Sequence, residues 1–433
     1  MERYDSYKDS GVEWIGEIPS HWNGYRLRNL GGLYGGLTGK SGDDFKQDDH
    51  PMNRPYIPYT NIFRNTYISK EHVDYVVLEE GEKQNRVQQY DLFFLMSSEN
   101  YDDLGKPCVL VDHVEELYLN SFCKGFRVRQ NIVNPLFLNY QLLGDTHRKL
   151  VSIEGKGFTR INLRQDRLID TPMVIPHLHE QEQIVEYLDR KTTLIDSLIE
   201  KTVRKIELLK EKRTSLINEV VTKGLNPEVE MKDSGVEWIG EIPSHWRIHK
   251  LKYFISMRNE KGVPSPTDIR ISPENVENGT GVCLNYYSDH FGEGVVFDKG
   301  DILLNKLRLY LKKIVYCDFQ GFSMGEMIVL RTMGGIDRYH FYTFFHQGLI
   351  DGLDVLSTGV KLPRVSPEDI LNNPHPSPPL HEQEQIVEYL DEQTSIIDST
   401  ITTEEKRIEL LKEYRQSLIS EVVTGKVKVT RDE

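Results

Sequence analysis

Four short motifs in this chain could do chemistry, and each lacks a part that the chemistry needs. His179-Glu180-Gln181-Glu182-Gln183 opens like the HExxH helix of a zinc protease, in which two imidazoles one helical turn apart hold the metal. The fifth residue here is Gln183, and a second copy beginning at His381 ends the same way in Gln385. Gly39-Lys40-Ser41 has the end of a phosphate-binding loop, but the glycine required five residues earlier is replaced by Tyr34. Asn134-Pro135-Leu136-Phe137 is one letter from the NPP(Y/F) motif of amino-methyltransferases, and no glycine-rich methyl-donor loop accompanies it, so it reads as a helix start. Asp145 with Glu154-Gly155-Lys156 fits a loose nuclease pattern whose paired carboxylates would hold Mg²⁺, with no counterpart later in the chain. Cys108, Cys123, Cys283 and Cys317 form neither a CxxC pair nor a disulfide framework, which points to reduced thiols in a cytoplasmic protein. The expectation is a chain with no catalytic, cofactor-binding or metal-binding residues of its own.

The elements around these motifs are more informative, because they are written twice. DSGVEWIGEIPSHW runs from Asp9 to Trp22 and again from Asp233 to Trp246, an offset of 224; HEQEQIVEYLD runs from His179 to Asp189 and again from His381 to Asp391, an offset of 202. Two identical frames therefore hold two inserts of different sequence, and the second insert is shorter by about 22 residues, the difference of the two offsets. A frame that repeats meets a repeated partner or a copy of itself, whereas the inserts meet different things.

Each frame continues into a long helix. One column with a seven-residue step reads Leu188, Ile195, Thr202, Leu209, Leu216, and a second reads Thr192, Ile199, Ile206, Arg213, Val220. The second copy repeats the pattern as Leu390, Ile397, Glu404, Leu411, Leu418 and Thr394, Ile401, Ile408, Arg415, Val422. Two such columns form the seam of a coiled coil, and polar residues within it cost stability and fix register or orientation. Pro176 and Pro378-Pro379 precede the helices, glutamates fill their first turns, and Gly224 and Gly425 stop them. At about 1.5 Å per residue each helix would span roughly 65 Å, and antiparallel pairing would bring the chain termini close together in a pseudo-twofold arrangement.

Between the frames, short β-rich runs are separated by Gly, Asn and Asp: Tyr56–Tyr59, Val73–Leu78, Leu92–Met96 and Val109–Val111 in the first insert, Val295–Phe297, Ile302–Leu304 and Met327–Leu330 in the second. An aromatic-rich helix follows in each, over Pro135–Leu150 and Tyr339–Ile350. Weak parallels align Tyr90-Asp91-Leu92-Phe93 with Gly300-Asp301-Ile302-Leu303, Asn120-Ser121-Phe122 with Phe322-Ser323-Met324, Arg129 with Arg331, and Gly157 with Gly359. The fold class expected is mixed α/β: two globular domains of one fold separated by a long antiparallel two-helix coiled coil, with a pseudo-twofold internal repeat. The segments are 1–22, 23–178, 179–224, 225–246, 247–380, 381–426 and a tail of 427–433. Trp14, Trp22, Trp238 and Trp246 read as packing anchors where frame meets insert.

The formal net charge of −14 over 433 residues argues against a simple nucleic-acid binder, which is usually basic. Basic residues nevertheless bunch locally, as in Lys306, Arg308, Lys312 and Lys313 or Lys156, Arg160, Arg164 and Arg167. No run of about 18 apolar residues suggests a membrane span.

Taken together, SGVEWIGEIPSHW, the PHLHEQ and PPLHEQ boxes (Pro176 to Gln181, Pro378 to Gln383) and the following long helices resemble the specificity subunit of type I restriction–modification enzymes. Gly300-Asp301-Ile302-Leu303, continuing through Leu311 and Gly325-Glu326, resembles the target-recognition domains of that family. The resemblance implies that each insert reads one half of a split site in double-stranded DNA, that the coiled coil sets the spacer, and that the frame docks two methyltransferase subunits, which motor–endonuclease subunits join. S-adenosylmethionine, ATP and Mg²⁺ would then belong to those partners. Base reading favours Arg, Lys, Asn and Gln on loops, which selects Asn61, Arg64, Asn65, Lys156, Arg160, Asn162 and Arg164 in the first insert and Asn305, Lys306, Arg308, Lys361 and Arg364 in the second. The segments around Gly157 and Gly359 are the strongest candidates, because glycine lets a loop approach DNA closely. Two other classes stay open at this level: a coiled-coil scaffold that binds two proteins, and a lone Mg²⁺-dependent nuclease built on Asp145, Glu154 and Lys156.

Overall fold

The computed structural model describes residues 2–45, 50–157, 159–290, 292–359 and 361–429. Phe158 and Val360, each beside one of the two highlighted glycines, lie outside the described residues. The chain divides into two units, Met1–Lys201 with Arg407–Glu433, and Thr202–Lys406. The division falls inside both long helices, Leu178–Lys223 and Leu380–Val423. Each unit thus holds one insert and one half of each helix.

In the first unit a five-stranded sheet runs in the order Gly31–Gly35, Cys123–Val128, Leu92–Leu95, Pro107–Leu110, Tyr67–Ile68, beside a three-stranded sheet of Tyr118–Leu119, Asn53–Ile57 and Asp74–Val77. Leu92-Phe93-Phe94-Leu95 is an unbroken apolar run because both faces of this central strand are covered. Leu92 and Phe94 join a core with the long helices (Ile184, Leu188, Leu418, Val422), whereas Phe93 and Leu95 join a second core with Ile57, Ile62 and Leu119. The second unit repeats the plan. A four-stranded sheet runs Ile255–Arg258, Met327–Thr332, Ile302–Asn305, Ile314–Tyr316. Ile302 and Leu304 face the helices with Ile217, Val221, Ile386 and Leu390, and Leu303 faces the far core with Ile271 and Phe297.

The repeat makes the alignment of the inserts checkable. Phe126 is registered against Leu92, as Leu330 is against Ile302. Arg127 donates to Asp91 (2.8 Å), and Arg331 donates to Asp301 (3.2 Å). The counterpart of Arg331 is therefore Arg127, not Arg129, and the alignment of Asn120-Ser121-Phe122 also slips, since Leu119 and Ser323 hold the equivalent parallel bridges. The expected single helices are each two: Pro135–Leu143 and Asp145–Ile153 break at Gly144, whose ψ of 145° is extended, while Asp337–Thr343 and Gln347–Val355 break at His346.

The helices pair antiparallel within the second unit: Lys205 meets Glu404 at 2.6 Å and Arg213 meets Asp398 at 2.9 Å, so one number rises as the other falls. In the first unit Arg415 meets Asp196 at 2.9 Å, the same pair displaced by one repeat. The two seam arginines thus each find an aspartate on the facing helix. The two-column seam is too simple near the helix ends, where Ile217, Val221, Ile419 and Val423 are also buried because that face turns to the insert. Gly224 (φ 73°) and Gly425 (φ 72°) end the helices, and a Cβ at Gly425 would press on the Pro19 ring. Among the described residues no helix is long and apolar enough to cross a membrane.

Candidate nucleic-acid interface

The repeated boxes act as clamps that hold each insert to its helix. Glu180 accepts from the Trp22 indole (3.0 Å), His21 (2.7 Å) and the Tyr4 hydroxyl (2.7 Å); Glu382 accepts from the Trp246 indole (2.8 Å) and His245 (2.6 Å). Trp22 and Trp246 are fully buried, as anchors should be, but Trp14 is 39% exposed and Trp238 only half-buried against His346. Gln181 accepts from the Asn134 amide (2.6 Å) and donates to the Pro176 carbonyl (2.8 Å). Gln383 does the same with Ile336 (2.9 Å) and Pro378 (2.9 Å). Asp189 takes the Tyr140 hydroxyl at 2.6 Å, as Asp391 takes Tyr342, and burial beside these carboxylates raises both phenols to about 12. The boxes therefore spend their polar groups on junctions rather than on a metal. Asn134 caps its helix by accepting from Leu136 and Phe137, as its helix-start reading required.

The nuclease triad does not assemble. Asp145 and Glu154 stand at opposite ends of the helix Asp145–Ile153, about 13 Å apart at about 1.5 Å per residue, too far to share one ion. Glu154 instead lies 3.5 Å from Arg167. Lys40 of the incomplete phosphate loop is paired with Glu82 at 2.6 Å. Among the described residues no group of three metal-ligating side chains occurs.

What does assemble is a platform of three segments, in the same place in both units. The first is the loop after the central strand, with Ser97-Ser98 in one unit and Lys306-Leu307-Arg308 in the other. The second is a glycine hairpin, Lys156 to Asn162 or Thr358 to Arg364, closed in each case by an antiparallel bridge between its end residues. The hairpin pairs with the loop: Ile161 and Asn162 with Ser98 and Ser97, Arg364 with Leu307. The third segment is the turn residue before the neighbouring strand, Phe122 or Glu326, which precedes the pairs Cys123 with Leu95 and Met327 with Asn305. Gly157 (φ 145°) and Gly359 (φ 99°) are required here, since their backbone angles strain any L side chain.

The candidate residues divide on this platform. Lys156, Arg160, Asn162, Arg308, Lys361 and Arg364 are exposed on it. The Arg160 guanidinium lies 5.2 Å from the centre of the Phe122 ring, itself 54% exposed. Arg164 is exposed and paired with Asp166 at 2.7 Å. Arg364 donates to Glu326 through Nε (3.1 Å) and Nη2 (2.7 Å), and Lys306 lies 3.3 Å from the same carboxylate. Arg364 and Lys306 hold the Glu326 carboxyl below its usual range. Arg64 is exposed on the helix Tyr59–Arg64, next to the loop through the Tyr59 hydroxyl, which donates to the Ser97 carbonyl (3.0 Å).

Three candidates are spent on the protein's own backbone. Asn305 is buried and its side chain accepts from the Leu307 amide (3.2 Å), so it shapes the loop from beneath. Asn61 donates to the His72 carbonyl and Asn65 to the Asn61 carbonyl, both at 2.8 Å. The basic bunches thin out as well. Lys312 is buried with its ammonium on the Phe345 carbonyl (2.9 Å), and burial lowers it to about 8. Lys313 is turned onto the Pro273 carbonyl. Ser97, Phe122 and Glu326 are not among the base-reading candidates of the sequence, because a serine, an aromatic and a carboxylate carry no base-reading signature until the strand register places them beside the hairpin.

Residues 21–208 match the family model described as the type I restriction modification DNA specificity domain. The chain is 20% identical over 331 residues to the type I restriction enzyme EcoDI specificity subunit of Escherichia coli, covering 71% of this chain and 73% of that protein. It is 23% identical over 404 residues to the MjaVIII specificity subunit of Methanocaldococcus jannaschii, covering 86% and 87%. Among solved structures, one described as the structural basis of complex assembly and conformational transition of the type I R-M system is similar at a TM-score of 0.69 and 13% identity, over 95% of this chain and 99% of that one. The HsdS subunit of Thermoanaerobacter tengcongensis is similar at 0.54 and 14%, over 95% and 98%. The fold is that of two-domain, coiled-coil specificity proteins. Residues 21–208, somewhat under half of the chain, thus match the DNA specificity domain of type I restriction–modification systems, and the fold is shared with the HsdS structure over nearly the whole chain.

Proposed function

We propose that this chain is the DNA-reading subunit of a type I restriction–modification assembly and that each unit reads one half of a split site with its hairpin platform. One observation carries this reading: the indole and imidazole contacts to Glu180 and Glu382, the glutamine contacts and the tyrosine–aspartate bonds recur in both units, while the platforms differ in nearly every side chain. Constant junctions suit a repeated partner, and divergent platforms suit two different half-sites. The target-recognition domains are then residues 23–178 and 247–380, with Arg64, Lys156, Arg160, Asn162 and Arg164 reading in one and Lys306, Arg308, Lys361 and Arg364 in the other. The helix pair sets the spacer. Two methyltransferase subunits dock on the frame, motor–endonuclease subunits join them in the cytoplasm, and S-adenosylmethionine, ATP and Mg²⁺ are theirs. Their surfaces would supply the positive charge that a chain of net charge −14 lacks.

Exchange of residues 23–178 for another recognition domain tests the reading. Methylation mapping of the assembled complex should show one half-site changed and the other retained. A change in both halves, or in neither, would refute independent reading.

A further inference from the structure

The two platforms differ most at one position. Phe122 stands in the first unit where Glu326 stands in the second, at the residue before the strand that pairs with Leu95 or Asn305. Phe122 offers a ring face, on which Arg160 rests. Glu326 offers a carboxylate, and one of its oxygens accepts from both Nε and Nη2 of Arg364. The backbone of Arg364 is itself held by the bridges to Thr358 and Leu307, while Val365 donates to the Lys306 carbonyl (3.1 Å) and Lys306 donates to the Glu326 carbonyl (3.2 Å). The guanidinium is therefore fixed at its base by backbone and along one edge by a carboxylate.

A guanidinium has five N–H donors in a rigid fork. Glu326 occupies the Nε–Nη2 edge and leaves the end-on edge, made by Nη1 and the outer N–H of Nη2. That edge matches the paired acceptors O6 and N7 on the major-groove side of guanine, and no other base presents two acceptors there. A flexible arginine loses side-chain entropy when it docks; one already held by a carboxylate has less to lose. Arg364 is 47% exposed and Glu326 30%, so the pair lies at the surface where a base edge can reach it.

We infer that Glu326 is a positioning residue for base reading: it orients Arg364 so that the second unit reads a guanine. The first unit, with Phe122 at this place, has no such requirement. The inference rests on the proposed function and can fail without it.

The test is selection from randomised DNA by the full chain assembled with its methyltransferase partner. The wild type must return a split motif, and exchange of residues 23–178 assigns one half of it to the second unit. If the wild type returns no split motif, the functional reading itself fails. Given a motif, Glu326→Gln should relax one guanine position in the second unit's half-site roughly tenfold and leave the other half-site as it was. Arg364→Lys keeps the charge, loses the fork and should relax the same position. Glu326→Asp, which keeps a carboxylate, should retain more of the preference than Glu326→Gln. Should Glu326→Gln fail to fold, Glu326→Ala carries the test of the positioning carboxylate, with Arg364→Lys as the test of the reader. Unchanged selection by Glu326→Gln or by Arg364→Lys, a second half-site without guanine, or a uniform loss over both half-sites would each overturn the inference.

Discussion

The two units build one shell and fill it differently. In the first, the helix Pro135–Leu143 and the paired strands Asn23–Arg26 and Pro172–Ile175 bring Leu138, Tyr25 and Met173 into one core. In the second, the same three places are His340, His375 and His249. His340 Nδ1 lies 2.9 Å from His375 Nε2, its other nitrogen lies 3.0 Å from the Gly334 carbonyl, and Phe254 stacks on its ring at 5.5 Å. The junctions vary less: Trp22 and Trp246, and Gln181 and Gln383, keep both identity and partner, and Asp189 and Asp391 each keep a tyrosine donor while their second donor changes from Tyr67 to Arg338. What differs between copies is therefore the content of each insert, down to its core, and what is preserved is the attachment. A duplicated fold can diverge inside each domain as long as the main junction contacts stay fixed.

The largest effect should come from breaking a preserved junction. Trp246→Ala removes a fully buried indole and leaves Glu382 short of a donor, which should cost about 3–5 kcal/mol. Trp22→Ala should cost the first unit a similar amount. Hydrogen exchange resolved by unit should show each substitution loosening its own unit; an equal loss in both units would contradict the independence of the junctions.

The histidines sharpen the contrast through pH. Burial lowers His340 to about 4 and holds His375 well below its ordinary value of 6.5. Both are neutral when folded and take up protons when unfolded, so their stabilisation is complete above about pH 6.5 and is lost as pH falls towards 4. For His340 this amounts to on the order of 2 kcal/mol by pH 5. The first unit carries His147, also lowered to about 4 by burial, while the second adds His346 to the pair. The second unit should lose stability in acid sooner, and His340→Leu with His375→Met, the residues of the first unit, should flatten its slope. Urea midpoints at pH 7 and pH 5 check this; parallel losses in the two units would remove the histidines as the cause.

The smallest effect concerns the seam. Arg213 is 8% exposed and adds the carbonyls of Gly279 (3.1 Å) and Thr280 (2.8 Å) to its aspartate. Arg415 makes the equivalent ion pair with its side chain 24% exposed. Arg213→Met should cost about 1–2 kcal/mol, because it leaves Asp398 half-buried and two carbonyls unanswered, whereas Arg415→Met should cost under about 0.5 kcal/mol. Thermal unfolding of the two variants ranks them, and equal losses would show that the insert contact adds nothing.

Much of this protein was determined by its sequence alone, because repetition and periodicity are properties of the chain. The identical frames, the heptad columns, the glycine stops and the mixed α/β inserts follow from letters that recur at fixed offsets, and a seven-residue period has few other physical solutions. The run Leu92–Met96 declared a strand, and the structure covers it on both faces. Other features waited for tertiary structure. Lys312 and Arg308 are both basic residues of one segment with similar left-handed backbone angles, yet Lys312 is buried on the Phe345 carbonyl and Arg308 is exposed, a distinction set by the helix packed against the segment. Asn305 has the composition of a base reader and the position of a loop support. Glu326 and Arg364 are 38 residues apart, and only the pairing of a hairpin with a distant strand loop brings carboxylate and guanidinium within hydrogen-bond reach. Periodicity is written locally along the chain, whereas a site made of three segments depends on register between strands, which no local pattern carries.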